Sequence, residues 1–304
     1  MTSRWEVRVL RLDDGRDVAF ADYGDPDGEV VFGFHGTPGS HTQFAPASAA
    51  AGQVGVRLIV PDRPGYGHST YDPHRTLTDW PDDVRAIASA LGAERFGVVG
   101  VSGGGPHAVA CAAALADVLT GCALVGSPSP MPPDQLADAA SRPMPFNRLV
   151  FMLARRAPVL LPIPLGALSI AGRRLSEDRL RAQMTSQLPA ADARIMARPE
   201  IADALFADLR RKHPTATKAS AQDFALFAAP WGFELADIAT TVDIWHGTDD
   251  VNVPVAHAQY LAGHIPGSRL HILDGEAHMF IYDRMAEVLA TLLDRGDHAV
   301  ADPV

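Results

Sequence analysis

Lysine and cysteine are almost missing from this chain. Only Lys212 and Lys218 occur among its 304 residues, so a Ser-Lys dyad or a Schiff base would have to draw on one of those two, and both are set aside. The two cysteines, Cys111 and Cys122, have apolar neighbours, which predicts buried free thiols rather than a disulfide framework, a metal site or a reactive thiolate. No apolar run is long enough to span a bilayer. The most apolar stretch, Ala157 to Ala171, is interrupted by Pro158, Pro162 and Pro164 and flanked by Arg155, Arg156, Arg173 and Arg174. Met1 to Leu10 carries scattered charges and no apolar core of a secretory signal, so a cytoplasmic location is expected. Positive charge is scarce too: the formal net charge of -10 argues against a nucleic-acid partner, because phosphate contacts need clustered basic surface. No histidine stands at metal-ligand spacing from another His, Cys or carboxylate, and no G-x-G-x-x-G or G-K-[ST] follows a strand. Neither a metal nor any other cofactor is expected.

What is present is a long chain with alternating strand and helix signals. Val7 to Leu12 and Val18 to Tyr23 alternate around the turn Asp13-Asp14-Gly15 and read as an antiparallel hairpin. Val30 to Phe34 is an almost unbroken apolar run, as in a strand buried on both faces. Helices are expected at about Thr42 to Ala51 and Leu77 to Leu91, with a strand at Arg57 to Val60 between them and another, Phe96 to Val101, after them. That succession calls for parallel strands with right-handed crossovers. Gly121 to Val125 adds a further strand. From Pro128 the composition shifts to proline, arginine, methionine and short helical patterns such as Phe146 to Arg156, Ser176 to Gln187 and Ile195 to His213, broken at Pro158, Pro189, Pro199 and Pro214. Sheet grammar resumes with Val242 to Trp245, a helix at Val255 to His264, the strand Arg269 to Leu273 and a helix at Tyr282 to Leu293; Gly296 to Val304 reads as a loose tail. The fold class is therefore α/β, a mostly parallel central sheet flanked by helices. Residues 1–127 and 236–304 form the core, and 128–235 a helical insertion packed over it.

The most informative turn is Gly100-Val101-Ser102-Gly103-Gly104. A buried strand precedes it and an alanine-rich helix follows, the setting of the nucleophile elbow G-x-S-x-G, where glycines leave room for a sharp reversal and the serine stands at a helix N-terminus. A serine hydroxyl is a weak nucleophile near neutral pH, so it needs a base and a group that orients the base. Both are available at later strand ends. The loop His246-Gly247-Thr248-Asp249-Asp250-Val251-Asn252-Val253-Pro254 supplies carboxylates, and Asp274-Gly275-Glu276-Ala277-His278 supplies a histidine. The order Ser, Asp, His is that of the nucleophile-elbow hydrolases and of neither protease order.

On these segments, together with His35-Gly36-Thr37-Pro38-Gly39 and Asp62-Arg63-Pro64-Gly65-Tyr66-Gly67-His68-Ser69, the chain resembles the α/β-hydrolase superfamily over nearly its whole length. In that pattern the acid lies four residues after the second His and ahead of Val-Pro, which selects Asp250 over Asp249. The resemblance makes Ser102 the nucleophile, His278 the base and Asp250 its orienting acid. Gly103, following the nucleophile, and Thr37, following His-Gly, are the expected backbone donors of an oxyanion hole. The Thr37 hydroxyl is read either as an added contact or as a turn former. His35 is expected to be structural and His107 packed or at the rim. A serine rather than a carboxylate nucleophile excludes dehalogenase and epoxide-hydrolase chemistry.

The resulting expectation is hydrolysis of a small or medium hydrophobic carboxylic ester, thioester or lactone, with the insertion as a cap that sets substrate choice. Carbon-carbon bond hydrolysis and prolyl aminopeptidase-like cleavage share the same triad, and a hydrolase-like receptor or biosynthetic accessory protein shares the pocket. Expected partners are a small-molecule acyl substrate and water, without nucleic acid or membrane, for a monomer or homodimer.

Overall fold

The computed structural model describes residues 6–130, 143–176, 179, 181–182, 185–210 and 215–293. The expected tail Gly296 to Val304, Lys212, and parts of the helices expected at Ser176 to Gln187 and Ile195 to His213 lie outside these. Eight strands form one sheet: β1 (Val7–Arg11), β2 (Asp17–Gly24), β3 (Glu29–Phe34), β4 (Val56–Pro61), β5 (Phe96–Val101), β6 (Leu119–Val125), β7 (Val242–Gly247) and β8 (Arg269–Leu273). Their order is β1-β2-β4-β3-β5-β6-β7-β8. The first two pairings, β1 with β2 and β2 with β4, are antiparallel, and all the others are parallel. The α/β class and the mostly parallel sheet are as the sequence predicts.

The parallel strands are apolar on both sides because both faces are covered. Side chains alternate: Phe32, Val98 and Leu124 face one layer, containing Val84 and Ile87 of α2 (Trp80–Leu91), Val109 of α3 (Gly105–Ala114) and Leu261 of α9 (Ala256–His264). Val31, Val99 and Val125 face the other, with Ala51 of α1 (Ser48–Gln53) and Met285, Val288 and Leu292 of α10 (Ile281–Leu293). Cys111 and Cys122 are free and buried in the first layer, where burial raises the Cys111 thiol pKa further and keeps it unreactive.

Between β6 and β7 the described residues form helices and turns without a strand: α4 (Pro145–Arg156), α5 (Pro162–Arg174), α6 (Ala190–Met196), α7 (Pro199–Arg210) and α8 (Ala216–Ala228). Val150, Leu165 and Phe224 from these helices join the first core layer. Among the described residues no helix is long and apolar enough to cross a membrane.

Local differences from the expected elements have local causes. The stretch Thr42 to Ala51 is a 3-10 helix, His41–Ala47, followed by α1, because Pro46 has no N–H to donate. The helix expected from Leu77 starts at Trp80, since the Asp79 carboxylate accepts the Thr76 N–H at 2.7 Å and its hydroxyl at 2.9 Å and closes a separate turn. Pro162 and Pro164, read as interruptions, open α5: prolines fit a first helical turn, whose N–H groups lack partners anyway. The break expected at Pro199 is present: α6 ends at Met196 and α7 starts at Pro199.

Candidate active site

The elbow is strained where the sequence places it. Ser102 follows β5 with φ of +52°, and it is the one non-glycine residue with positive φ among those described. A side chain at either flank would collide. A Cβ on Gly100 would lie 2.5 Å from the Gly104 oxygen, and one on Gly104 would lie 2.9 Å from the His35 oxygen. The chain can turn this tightly only with glycine at both positions, and the turn leads directly into the 3-10 segment Ser102–Gly104 and α3.

Strand register brings the other candidates to the same edge. Val101 is level with Val125, Val125 with Trp245, and Gly247 with Leu273, so the loops after β5, β6, β7 and β8 all leave from the carboxyl end of the sheet. There His278 Nδ1 donates to Asp250 Oδ2 at 2.7 Å. The other oxygen, Oδ1, accepts the backbone N–H groups of Asn252 and Val253 at 2.8 and 2.9 Å, fixing the carboxylate plane. Asp250 is fully buried, whereas Asp249 is exposed and its side chain meets Thr248. Burial alone would lower the His278 pKa, but the charge and hydrogen bond of Asp250, with the charge of Asp192, raise it above the ordinary imidazole value. Burial likewise opposes the charge on Asp250, and His278 outweighs it to hold that carboxyl below the usual range. Gly126 leaves space beneath the pair: a Cβ there would sit 3.1 Å from His278 Nδ1 and 3.4 Å from Asp250 Oδ2.

The loop after β3 reaches the serine from the other side. A Cβ on Gly36 would lie 3.5 Å from that of Ser102, and one on Gly103 would lie 3.1 Å from the Thr37 nitrogen. The two expected oxyanion donors, Thr37 and Gly103, are thus adjacent. Of the two readings of the Thr37 hydroxyl, the structure favours neither a turn former nor a contact to substrate. It accepts from Arg63 Nη2 at 2.7 Å and donates to Asp223 Oδ2 at 2.9 Å, on the side of the buried core. His35 is structural: its Nδ1 donates to the Gly36 oxygen, its Nε2 accepts the Arg63 N–H, and burial, then Arg63, push its pKa down to about 3. His107 is fully buried, with Nδ1 on the Gly103 oxygen at 3.2 Å, and burial pushes its pKa well down.

Sequence reading missed three residues of the inserted helices that touch the site loops. Asn147 of α4 donates to the Asn252 side chain at 2.9 Å, beside Asp250. Asp192 of α6, fully buried, accepts the N–H groups of His278 and Met279 at 3.2 and 2.7 Å, and burial raises its pKa. Asp223 of α8, also fully buried, meets Thr37, Arg63, Tyr66 and Arg75. Asp192 looks like an ordinary first-turn acid in the sequence. Asp223 left a legible trace, an aspartate directly before Phe224 on an apolar helix, since a charge so placed requires a buried cation.

Ser102 and His278 line one cavity of about 220 Å³ with Gly36, Thr37, Phe151 and Phe224. Its other walls come from Pro38, Gln43, Val101, Asn147, Leu205, Asn252, Val253, Met279, Ile281 and Tyr282, so among the described residues the lining holds no Asp, Glu, Lys or Arg. A smaller cavity of about 50 Å³ shares Pro38 and Leu205 with it.

A family profile describing the alpha/beta hydrolase fold matches residues 29–284. The chain belongs to the α/β-hydrolase fold family. Within it, a stretch of 94 residues is 35% identical to the bifunctional esterase/perhydrolase DCH of Acinetobacter calcoaceticus, covering 30% of this chain and 34% of that protein, so the chain spans about a third of that relative's length. The same α/β-hydrolase fold is seen in the esterase RhEst1 from Rhodococcus sp. ECU1013, with TM-score 0.66 and 23% identity over 95% of this chain and 99% of the other. The enol-lactonase from Burkholderia xenovorans LB400 shares it as well, at TM-score 0.66 and 21% identity over 94% and 99% of the two chains.

Proposed function

We propose that this protein is a serine hydrolase that cleaves a neutral carboxylic ester, thioester or lactone of small or medium size through an acyl-enzyme on Ser102. The observation that carries the reading is the His278–Asp250 hydrogen bond of 2.7 Å on a histidine that shares a cavity with a strained elbow serine. With its Nδ1 proton committed to Asp250, His278 presents Nε2 as an acceptor. It takes the Ser102 proton as Oγ attacks the substrate carbonyl, and the N–H groups of Thr37 and Gly103 meet the oxygen that becomes negative. His278 then returns the proton to the leaving alcohol, thiol or, in a lactone, the ring oxygen. Water, deprotonated by the same nitrogen, releases the acid and restores Ser102.

The uncharged lining favours this reading over two others with the same triad. A prolyl aminopeptidase-like enzyme must hold a free ammonium, and a hydrolase of a charged ring-fission dienoate must hold a carboxylate. Each needs a buried counter-charge in the pocket. The activities named for the esterase, the enol-lactonase and the esterase/perhydrolase relatives point the same way. In this reading residues 128–235 form the cap, which supplies Phe151, Leu205 and Phe224 as apolar walls. The cavity of about 220 Å³ suits a short or medium acyl group.

The test is covalent labelling by a fluorophosphonate, read by intact mass and peptide mapping. One label on Ser102 is expected, with turnover of acyl esters and none of a proline amide or a dienoate carboxylate. A folded protein that takes no label would remove the enzyme reading and leave the small-molecule receptor.

The same reading implies a pH dependence. His278 must be neutral to act, and Asp250 raises its pKa, so protonation takes hold above the ordinary imidazole value of about 6.5. The expected kcat/KM is therefore flat at high pH and falls tenfold per unit once pH drops below that raised value. An acid limb centred well under pH 6 would show that Asp250 does not hold the base.

A further inference from the structure

The oxyanion loop is fixed from behind by a buried ionic cluster whose carboxylate, Asp223, comes from the inserted helices. We propose that Asp223 of α8, acting through Arg63 and the Thr37 hydroxyl, is a positioning residue that aims the Thr37 oxyanion donor; the inference rests on the hydrolase reading above.

Peptide planarity is what makes positioning from behind possible. In a trans peptide the C=O and N–H point in opposite directions, so holding the oxygen on one side aims the hydrogen to the other. The Thr37 N–H shares its peptide with the Gly36 oxygen. That oxygen is held by His35 Nδ1 at 2.9 Å and by Arg63 Nη2 at 3.3 Å, while Arg63 Nη1 donates to the His35 oxygen. The Gly36 N–H is occupied by Gln43 Oε1 at 2.8 Å. Among the described residues the Thr37 N–H makes no hydrogen bond and is left for a ligand. The second donor is set by the helix start, with the cluster holding only the next peptide. The Gly103 N–H shares its peptide with the Ser102 oxygen, which accepts the Gly105 N–H, and the Gly103 oxygen accepts from His107.

The Thr37 half leads directly to Asp223, and the peptide that follows Gly103 is linked to it through His107 and Arg75. Asp223 Oδ2 accepts from Arg63 Nη2 and from Thr37 Oγ1, each at 2.9 Å, and from the Tyr66 hydroxyl at 2.8 Å. Its Oδ1 accepts from Arg75 Nη2 at 2.5 Å, and Arg75 Nη1 lies 3.5 Å from His107 Nε2. Burial disfavours the charge on Asp223, yet Arg75 and Arg63 hold its carboxyl far below the usual carboxylate range. Two arginines fully or nearly buried behind the oxyanion loop would lose this counter-charge without it. With Asp223 in place, Arg63 is fixed against the carbonyls of residues 35 and 36, and Thr37 is held by its side chain as well as its backbone.

The experiment compares wild type with Asp223→Asn, Thr37→Val and Thr37→Ser on a neutral activated ester, with kcat normalised to the fraction of protein that takes fluorophosphonate. Asp223→Asn keeps the shape but not the charge; Thr37→Val keeps the backbone N–H but cuts both side-chain bonds. For each, kcat per labelled serine is expected to fall about 10- to 100-fold, less than or near the loss of a whole oxyanion donor, with KM within about threefold. Thr37→Ser should recover most of what Thr37→Val loses, and the double variant should be little worse than either single one, because the groups act as a unit. A role confined to stability predicts a lower melting temperature with unchanged kcat per labelled serine, and that result in both variants would overturn the proposal. If Asp223→Asn does not fold, the Thr37 pair decides by itself. Wild type that takes no label would instead overturn the hydrolase reading.

Discussion

Ser102→Ala is expected to lower kcat on a neutral ester by about a millionfold while KM stays within a few-fold. The effect is this large because the serine supplies the bond-forming atom, and among the described residues the lining contains no cysteine or lysine and no other serine to replace it. The neighbouring hydroxyls do not substitute. Thr37 Oγ1 is committed to Asp223, and the Tyr282 hydroxyl donates to the Gln43 oxygen at 3.2 Å. What the variant retains is the pocket, the oxyanion donors and His278 as a base for water, which together still leave a residual rate over the uncatalysed reaction. Alanine keeps a Cβ, so the left-handed backbone at φ of +52° carries the same restriction and the fold is not relieved of it. The variant should therefore melt near wild type and bind product or inhibitor normally. Loss of kcat by less than about a hundredfold, or an undiminished label on the alanine variant, would mean that another group attacks.

The parts of this molecule that a sequence discloses are those fixed by local chemistry. The elbow was legible because a reversal between a strand and a helix needs Gly100 and Gly104, and Asp250 and His278 because they follow strands whose apolar runs are unmistakable. The same holds for the central strands, buried on both faces and so written as nearly continuous apolar runs. Residues 128–235 were much harder to read. Their helices satisfy backbone groups internally and carry no fixed turn chemistry, so pattern alone showed helical content but not that Pro162 begins a helix. The partners of their buried acids were illegible for a different reason, even where, as at Asp223, the need for a partner was not. Asp192 and Asp223 meet partners 86 and 186 positions away, and such pairs are set by how helices dock, not by any spacing along the chain. Thr37 shows the consequence. Its place after His-Gly predicted a backbone role, while its hydroxyl answers to a helix nearly two hundred residues later.

Asp250→Asn should reduce kcat by about ten-thousandfold, and the reason is a proton on the wrong nitrogen. Asp250 Oδ1 accepts two backbone N–H groups, from Asn252 and Val253, so an asparagine must turn its carbonyl oxygen toward them. Its NH2 then faces His278 Nδ1, 2.7 Å away in the wild type, and two donors cannot meet there. His278 must move its proton to Nε2 and leave Nδ1 as the acceptor. In that tautomer it donates toward Ser102 where it should accept. The alternative, flipping the amide to save His278, would set the NH2 against the N–H groups of residues 252 and 253, which costs about 1–3 kcal/mol for each buried group left unpaired. His246 works weakly against this orientation, because its Nε2–H lies 3.4 Å from Asp250 Oδ2, but that proton is already bonded to the Val253 oxygen at 2.8 Å and so does not outweigh the two backbone N–H groups. With the Asp250 charge gone, the influence that raises the His278 pKa is lost as well, so the residual activity should show its acid limb at lower pH than wild type. Asp249→Asn is the matched control: that side chain is exposed and its carboxylate accepts the Thr248 hydroxyl at 3.3 Å, away from His278, so kcat should stay within about twofold. If Asp249→Asn were the crippled variant and Asp250→Asn the active one, the acid would have been assigned to the wrong member of the pair, and the 2.7 Å hydrogen bond would have to be read as structural.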